Sequence, residues 1–272
     1  DRVLFYDKAF APIVERLKPQ WPTVEHFIQL DGEDSEYRRL IDSEPDDFIW
    51  VEGSERDPCG LCYTSGTTGN PKGVLCEHRS NVIHAITECA PDVFGLSAQT
   101  VMLPIVPLFH ANAWGVPFSC AAVGAKLVFS AVNDAAALCD LFDHEGVTHS
   151  AGVPTVWLAM FAEKDAKGDQ GFGVLERVII GGSAAPRTMI ERFMRAGVRV
   201  GHAWGMTEMT PLGTLGSLSA EAAELPRAKQ IDLKCKQGRA IFGVELKLVD
   251  DEGRELPRDG GHGRDPDEGE RK

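Results

Sequence analysis

The sequence has little basic charge for its acidic content, with 28 Lys and Arg residues against 41 Asp and Glu residues and a formal net charge of −13. Nonspecific binding to nucleic acid or to an anionic membrane surface needs the opposite balance, so both classes of partner are excluded. An anionic substrate would therefore have to meet a local positive site. A long hydrophobic run is also missing, because Pro117, Gly124 and Lys126 interrupt the most apolar stretch, residues 116–132. That stretch is too short and too broken to span a bilayer.

The spacing of a disulfide scaffold is absent as well. The seven cysteines form an odd set, and no N-terminal signal segment is present, which together predict a protein of the reducing cytoplasm. Cys59 and Cys62 form a C-x-x-C pair, a pattern that occurs in redox sites and as half of a zinc site. Because no second pair follows and Cys62 lies in an apolar segment, we interpret both as structural residues. The sequence contains no internal repeat.

Hydrophobic residues make up 43% of the 272 residues, which is enough for a substantial core. Short apolar segments alternate with helical patterns, and this alternation predicts an α/β fold with a largely parallel sheet. Strands are expected at 3–6, 24–30, 101–103, 125–129, 147–149, 174–180 and 198–200, and helices at 12–17, 80–89, 134–144, 154–163 and 186–196. Residues 31–47 indicate a surface helix and loop, residues 244–249 a half-exposed antiparallel strand, and the charged residues 259–272 a disordered tail.

Residues 63–74, Tyr-Thr-Ser-Gly-Thr-Thr-Gly-Asn-Pro-Lys-Gly-Val, combine glycines, hydroxyl side chains and one lysine. Glycines let backbone N–H groups approach an anion closely, hydroxyl groups add hydrogen-bond donors, and the lysine adds positive charge. The pattern predicts a phosphate-binding loop. It is not a Walker A loop, because Pro71 stands where that pattern needs its second glycine. The flanking residues 60–63 and 73–76 are each expected to form a short buried strand.

Residues 107–115, Pro-Leu-Phe-His-Ala-Asn-Ala-Trp-Gly, hold a histidine among apolar residues. Such a histidine is usually a core residue whose hydrogen bonds are satisfied by its neighbours. On its residues alone, His110 is therefore a weak candidate for a functional role.

Residues 181–186, Gly-Gly-Ser-Ala-Ala-Pro, follow a predicted strand and lead into a helix with proline at its first position. Ligands bind at the carboxyl ends of the strands in an open parallel sheet, so this turn could hold a flat base. An ordinary turn between a strand and a helix is the alternative.

Residues 201–208, Gly-His-Ala-Trp-Gly-Met-Thr-Glu, also follow a predicted strand. Trp204 can stack on a base, Thr207 can donate a hydrogen bond to a phosphate, and Glu208 can bind Mg²⁺. Three compatible side chains in one short loop predict a nucleotide site more strongly than any of them alone.

Together these segments resemble the signatures of the adenylate-forming (AMP-binding) enzyme superfamily. Residues 107–115 are most similar to its acyl-CoA synthetase branch, in particular to medium-chain fatty-acyl-CoA and methylthiopropionyl-CoA ligases. The resemblance implies ATP-dependent activation of a carboxylic acid, expected to be a medium-chain fatty acid, to an acyl-adenylate and then to an acyl-CoA thioester. Pyrophosphate and AMP would be released. ATP, Mg²⁺ and coenzyme A are the implied cofactors and co-substrates.

The resemblance also implies roles for individual residues. The phosphate loop would bind ATP through Thr64, Ser65, Gly66, Thr67, Thr68, Gly69 and Lys72. The other implied nucleotide contacts are Gly182, Ser183, Ala184, Trp204, Gly205, Met206 and Thr207. His110 and Asn112 would line the acyl side, and Glu208 would bind the metal. The implied catalytic residues are Lys72, His110, Thr207 and Glu208.

The resemblance covers residues 1–258 and implies the interior of a longer N-terminal domain. Residues 1–237 would be a partial adenylation domain, residues 238–258 the start of a small β subdomain, and residues 259–272 a charged tail. The family's ribose-binding aspartate, hinge and C-terminal lid domain have no counterpart in the sequence. With open sheet edges, the isolated chain is expected to aggregate or to bind a partner.

Two alternatives to an active acyl-CoA synthetase stay open. One is a non-catalytic, nucleotide-binding fragment of such an enzyme. The other is an amino-acid adenylation domain, which would need a pocket aspartate for the amine of its substrate.

Overall fold

The computed structural model describes residues 1–64, 69–130, 132, 134–169 and 171–256. It divides the chain into two compact units, residues 1–53 and residues 54–272. In the first unit, β1 (Val3–Tyr6) and β2 (His26–Gln29) pair in parallel, and α1 (Ala11–Leu17) lies between them in sequence. The helix α2 (Glu36–Ser43) follows, and the side chain of its N-cap residue Ser35 accepts a hydrogen bond from the Arg38 N–H.

The second unit combines a hairpin with a larger sheet. β3 (Pro58–Thr64) and β4 (Lys72–Glu77) form the antiparallel hairpin. The larger sheet contains β5 (Val101–Pro104), β6 (Lys126–Leu127), β7 (His149–Gly152), β8 (Arg177–Ile180), β9 (Arg199–Gly205), β10 (Leu212–Leu215) and β11 (Arg239–Ala240). Its strand order is β11-β10-β9-β8-β7-β5-β6; the β11–β10 and β10–β9 pairs are antiparallel, and the other four pairs are parallel. The predicted α/β fold with a largely parallel sheet is confirmed.

Helices cover both faces of the larger sheet. They are α3 (His78–Cys89), α4 (Ala111–Trp114), α5 (Val116–Val123), α6 (Ala135–Glu145), α7 (Pro154–Ala166), α8 (Arg187–Arg195), α9 (Ala220–Ala223) and α10 (Arg227–Lys234). In β8, Val178 and Ile180 belong to a core that they share with α6, α7 and α8, whereas Ile179 belongs to a second core that includes α5. A strand that is buried on both faces needs a continuous apolar run.

Several element boundaries differ from the prediction. The helix expected at 80–89 begins at His78 instead, and the Ser80 hydroxyl donates a hydrogen bond to the Glu77 carbonyl within the first turn. The strand expected at 198–200 continues through Gly205, because it pairs with β8 on one side and with β10 on the other. The strand expected at 147–149 lies at His149–Gly152, and only Lys126–Leu127 of 125–129 pairs as a strand.

Two predictions of strand character were wrong. Residues 244–249 form no strand, because no strand of the described residues lies beside them; Val249 makes a single antiparallel bridge with Glu255. The strands around the phosphate loop do form, but they are not buried, since Leu61, Tyr63 and Leu75 are exposed on the outer face of the hairpin.

Other predictions keep their status. The tail at 259–272 lies outside the described residues, and the division at residue 237 stays a prediction. In the described part of the chain, no helix is long and apolar enough to cross a membrane.

Candidate functional site

The hairpin of β3 and β4 carries the predicted phosphate loop at its tip. Thr64 and Lys72 lie directly opposite each other in the register of the two strands, so the loop begins and ends at this pair. The Lys72 side chain is exposed and makes no ion pair within the described residues. Of the other predicted loop residues, Gly69 is described, whereas Ser65, Gly66, Thr67 and Thr68 lie outside the described residues.

The inner face of the hairpin contacts two of the other motifs. The Cys62 thiol donates a hydrogen bond to Asn112 Oδ1 at 3.5 Å. This bond links β3 to the histidine motif, residues 107–115. Both strands also contact the short 3₁₀ helix Thr207–Met209. A small cavity at this junction is lined by Cys62, Cys76, Asn81, Ala111, Asn112, Gly115, Phe118, Thr207 and Thr210. Asn112 and Thr207, which the sequence places almost a hundred residues apart, therefore share one cavity with the phosphate-loop hairpin.

A larger cleft lies at the carboxyl ends of β8 and β9. Its walls come from three predicted motifs and from two residues that follow the last of them: His110, Ala111, Trp114, Gly181, Gly182, Ala203, Trp204, Gly205, Met206, Thr207, Pro211 and Leu212. The structure thus brings His110, Gly182 and Trp204 to one site. Ser183, Ala184 and Glu208 are exposed next to these lining residues but are not part of the walls.

The histidine motif enters the cleft through an unusual backbone conformation. Ala111, Asn112, Ala113 and Trp114 all have positive φ angles, between 46° and 60°. Left-handed backbone costs an L-residue about 1–2 kcal/mol, and such strain persists only where the surroundings hold it in place. Ala113 and Trp114 are buried, at 0% and 9% exposure, so tertiary packing provides that support.

The motif at residues 201–208 turns sharply at Gly205. A Cβ atom at this position would lie 2.0 Å from the Pro211 carbonyl oxygen, a distance that no side chain tolerates. The Met206 N–H donates a hydrogen bond to the same carbonyl at 2.8 Å. This close approach lets β10 fold back on β9 and leaves Trp204 and Thr207 on the cleft wall.

Two buried polar residues on α3, which none of the sequence motifs includes, support the cleft. His84 Nε2 accepts a hydrogen bond from the Leu212 N–H at 3.3 Å and lies 3.6 Å from Glu88 Oε1. Glu88 also forms a short hydrogen bond with the Ser119 hydroxyl on α5. A histidine and a glutamate four residues apart, on one face of a predicted helix, were the signal that could have identified them.

Burial fixes the protonation of this pair. It lowers the pKa of His84 to about 4, so the ring is neutral near pH 7, and it raises the pKa of Glu88 well above its ordinary value. The geometry agrees for His84, because Nε2 can accept from the Leu212 N–H only when it carries no proton.

His202 supports the glycine turn at residues 181–186 in a similar way. Its Nε2 accepts a hydrogen bond from the Ala185 N–H at 3.2 Å, and its Nδ1–H donates to the Cys235 carbonyl at 3.0 Å. Burial lowers the pKa of His202, which favours the neutral ring that both bonds need. Ala185, which lies in the glycine turn that follows β8, is therefore anchored to β9.

Comparison with known proteins adds a family model and several relatives. A model described as AMP-binding enzyme matches residues 2–264. A medium-chain-fatty-acid–CoA ligase of Ectopseudomonas oleovorans is 44% identical over 96% of this chain and 50% of its own length. A 3-methylmercaptopropionyl-CoA ligase of Ruegeria lacuscaerulensis gives the same identity, 44%, and the same coverage, 96% and 50%. The chain spans about half the length of the curated relatives it matches.

Solved structures share the fold. The inhibitor-bound N-terminal domain of FACL13 from Mycobacterium tuberculosis aligns with a TM-score of 0.78 at 26% identity, over 94% of this chain and 61% of that one. A long-chain-fatty-acid-CoA ligase from Archaeoglobus fulgidus aligns with a TM-score of 0.78 at 22% identity, over 94% of this chain and 51% of that one. The predicted fold, that of a large N-terminal domain with mostly parallel strands, is confirmed by these likenesses.

Proposed function

We propose that this chain, which belongs to the AMP-binding enzyme family, activates a carboxylic acid with ATP and passes the acyl group to a thiol. The predicted family of acid–thiol ligases, or acyl-CoA synthetases, is confirmed by the ligases that it matches. The observation that carries the proposal is the convergence of His110, Gly182 and Trp204 on one cleft, with Thr207 between this cleft and the phosphate-loop hairpin. A base, a phosphate and an acyl group could meet there at the carboxyl ends of parallel strands.

Each wall of the cleft suits one part of an acyl-adenylate. The Trp204 ring offers a flat surface for adenine, and the backbone of Gly182, Ser183 and Ala184 would lie on the other side of the base. Thr207 would donate to the α-phosphate, while Lys72 and the loop residues Ser65, Thr67 and Thr68 would bind the β- and γ-phosphates. His110, with Asn112 behind it, would border the acyl chain.

The reaction would take two balanced steps. A carboxylate oxygen of the acid forms a bond to the α-phosphorus of ATP, and the bond from that phosphorus to pyrophosphate breaks. A thiol sulfur, proposed to be that of coenzyme A, then attacks the acyl carbon, loses its proton to solvent, and AMP leaves with the electrons of the broken C–O bond. Such steps need charge neutralisation more than covalent help, which is the role that Lys72 and Thr207 would have.

The donor set near Thr207 suits a magnesium ion that arrives with its nucleotide. Among the described residues, no group of three or more His, Cys, Asp or Glu side chains could hold a metal by itself. Mg²⁺ at nucleotide sites needs one or two carboxylates in addition to phosphate oxygens, and Glu208 is exposed beside Thr207. Glu208 would hold the ion, which would neutralise phosphate charge.

A medium-chain fatty acid or a methylthio-substituted propionic acid is the proposed substrate. The 44% identity to ligases named for these acids supports this choice, as does the apolar surface that Trp114 and Leu212 give to the cleft. A place in fatty-acid metabolism in the cytoplasm belongs to the same proposal.

ATP-dependent formation of an acyl hydroxamate tests the proposal. The purified chain is given ATP, Mg²⁺, hydroxylamine and either octanoate or 3-(methylthio)propionate. We expect product that falls at least tenfold in Lys72→Ala and in Glu208→Ala. Lys247→Ala and Glu245→Ala change exposed residues of the same types outside the cleft and should leave the rate unchanged.

The same assay separates the alternatives. Nucleotide binding without product from any carboxylic acid would favour a non-catalytic nucleotide-binding function. Product from an amino acid but not from octanoate would favour an amino-acid adenylation domain instead.

A further inference from the structure

A second cavity lies at the amino ends of β8 and β9 in the larger sheet. Its volume of about 490 Å³ falls within the range of roughly 300–1,000 Å³ that is usual for small-molecule sites. Arg177 is the first residue of β8 and Arg199 the first of β9, and both line the cavity. Arg227 and Lys234, the two ends of α10, complete its basic side. The cleft described above is at the other ends of these strands.

The lining of the cavity is positively charged, whereas the protein as a whole is negatively charged. Four cationic side chains and one carboxylate, Asp92, line it, although the whole chain carries a formal charge of −13. Asp92 pairs with Arg239 at 2.7 Å, outside the cavity lining. Arg199 pairs with Glu176 at 3.2 Å. The remaining cations are Arg177, Arg227 and Lys234, and none of them makes an ion pair with a described residue.

These cations are held by backbone carbonyl groups. Arg177 donates to the carbonyls of Pro91 and Val93, both at 2.8 Å. Lys234 donates to the carbonyls of Val200 at 2.6 Å and Gly216 at 2.9 Å. Carbonyl groups orient a cation but carry no net charge, so the positive charge of the cavity stays uncompensated.

Arg177 is the most confined member of the group. It is 8% exposed, and its Nε–H has no hydrogen-bond partner in the described structure. Burial, together with the charge of Arg199, lowers the pKa of Arg177 to about 10. Burial and the charge of Arg177 likewise lower the pKa of Lys234 to about 8. Like charges that repel each other in a partly buried site are stabilised by a counter-ion.

We propose that this cavity binds the phosphate group of a small phosphorylated molecule. Guanidinium groups match phosphate oxygens with pairs of parallel hydrogen bonds, and three arginines surround the same space. Arg199 and Arg227 are exposed and would form the entrance, whereas Arg177 and Lys234 would contact the anion from the inner wall. The site is separate from the proposed ATP cleft.

Calorimetric titration with inorganic pyrophosphate tests the proposal. We expect two binding events in the unaltered chain. The double variant Arg199→Gln/Arg227→Gln should weaken one of them at least tenfold and leave the other intact, whereas Lys72→Ala should do the reverse. Arg195→Gln removes an exposed arginine that does not line the cavity and serves as the matched control.

Inorganic phosphate and chloride at the same ionic strength provide the second comparison. Phosphate should compete with pyrophosphate for the event that depends on Arg199 and Arg227, and chloride should not. The proposal is overturned if the double variant, with an unchanged melting temperature, binds pyrophosphate as the unaltered chain does, or if chloride competes equally well. If the unaltered chain shows only the binding event that depends on Arg199 and Arg227, the result counts against the proposed ATP site and supports this one.

Discussion

His84 Nε2 on α3 accepts a hydrogen bond from the Leu212 N–H at the start of β10, at a distance of 3.3 Å and across 128 residues of chain. The same ring packs against Gly115, where a Cβ atom would lie 2.8 Å from His84 Nδ1. One buried side chain therefore contacts the end of the histidine motif and the start of β10, the strand that pairs with β9 beside Trp204 and Gly205.

Replacing His84 by leucine should loosen both motifs together. The change keeps an apolar side chain of similar size but leaves the buried Leu212 N–H without an acceptor, which costs about 1–3 kcal/mol. Urea unfolding should show this loss in the free energy of unfolding, and AMP should bind more weakly. His78→Leu, an exposed change at the start of the same helix, is the control. Equal stability of the two variants would contradict the role assigned to His84.

Glu88→Gln should make the protein more stable than the wild type as the pH rises. The folded-state pKa of Glu88 lies well above its ordinary value of 4.5, so the contribution of this residue is present below pH 4.5 and is lost as the pH rises toward the folded-state pKa. Glutamine stays neutral throughout, and the difference should grow by up to about 1.4 kcal/mol per pH unit.

The free energies of unfolding of the wild type and of Glu88→Gln, measured at pH 5 and at pH 8, check the direction of this effect. Glu245→Gln changes an exposed carboxylate and serves as the reference. A difference in stability between the two proteins that stays constant from pH 5 to pH 8 would show that the folded state does not raise the pKa of Glu88.

Gly205→Ala should abolish nucleotide binding. Because the added methyl group would meet the Pro211 carbonyl at 2.0 Å, β9 and β10 would have to separate where Trp204 and Thr207 reach the cleft. Gly60→Ala is the matched substitution within a strand, where nothing lies within 4 Å of the new Cβ. Equilibrium dialysis with AMP would measure the difference, and unchanged binding in Gly205→Ala would refute the turn geometry.

Trp204→Ala should weaken AMP binding by about 1–3 kcal/mol, the usual contribution of an aromatic ring that stacks on a base. Trp204→Phe should keep most of the affinity, since it retains a flat ring. Trp50→Ala, at a residue that is 84% exposed, tests for nonspecific effects of losing an indole. If alanine and phenylalanine at position 204 behave alike, adenine does not stack there.

The parts of this structure that the sequence predicts are those with local signals. The apolar run Val178–Ile180 indicated a strand because both of its faces are buried. Gly182, Trp204 and Thr207 could be expected to lie together because each follows a predicted strand, and β8 and β9 are parallel, so the carboxyl ends of these strands meet at one end of the sheet.

Other parts depend on contacts that no local pattern encodes. The positive φ angles of Ala111 and Ala113 are imposed by packing, and alanine gives no sign of them. The partnership of His84 with Leu212 joins distant segments. Residues 244–249 show the converse case, because their alternation indicates a half-exposed strand but does not supply a neighbouring strand to pair with.

The contact between His84 and Gly115 places a joint limit on the volume of two positions. A larger side chain at 115 fits only if the residue at 84 becomes smaller, and a smaller residue at 84 gives up the acceptor for Leu212. Redesign of the histidine motif would therefore have to change the two positions as a pair. Natural relatives that depart from this arrangement at one position should carry a compensating replacement at the other.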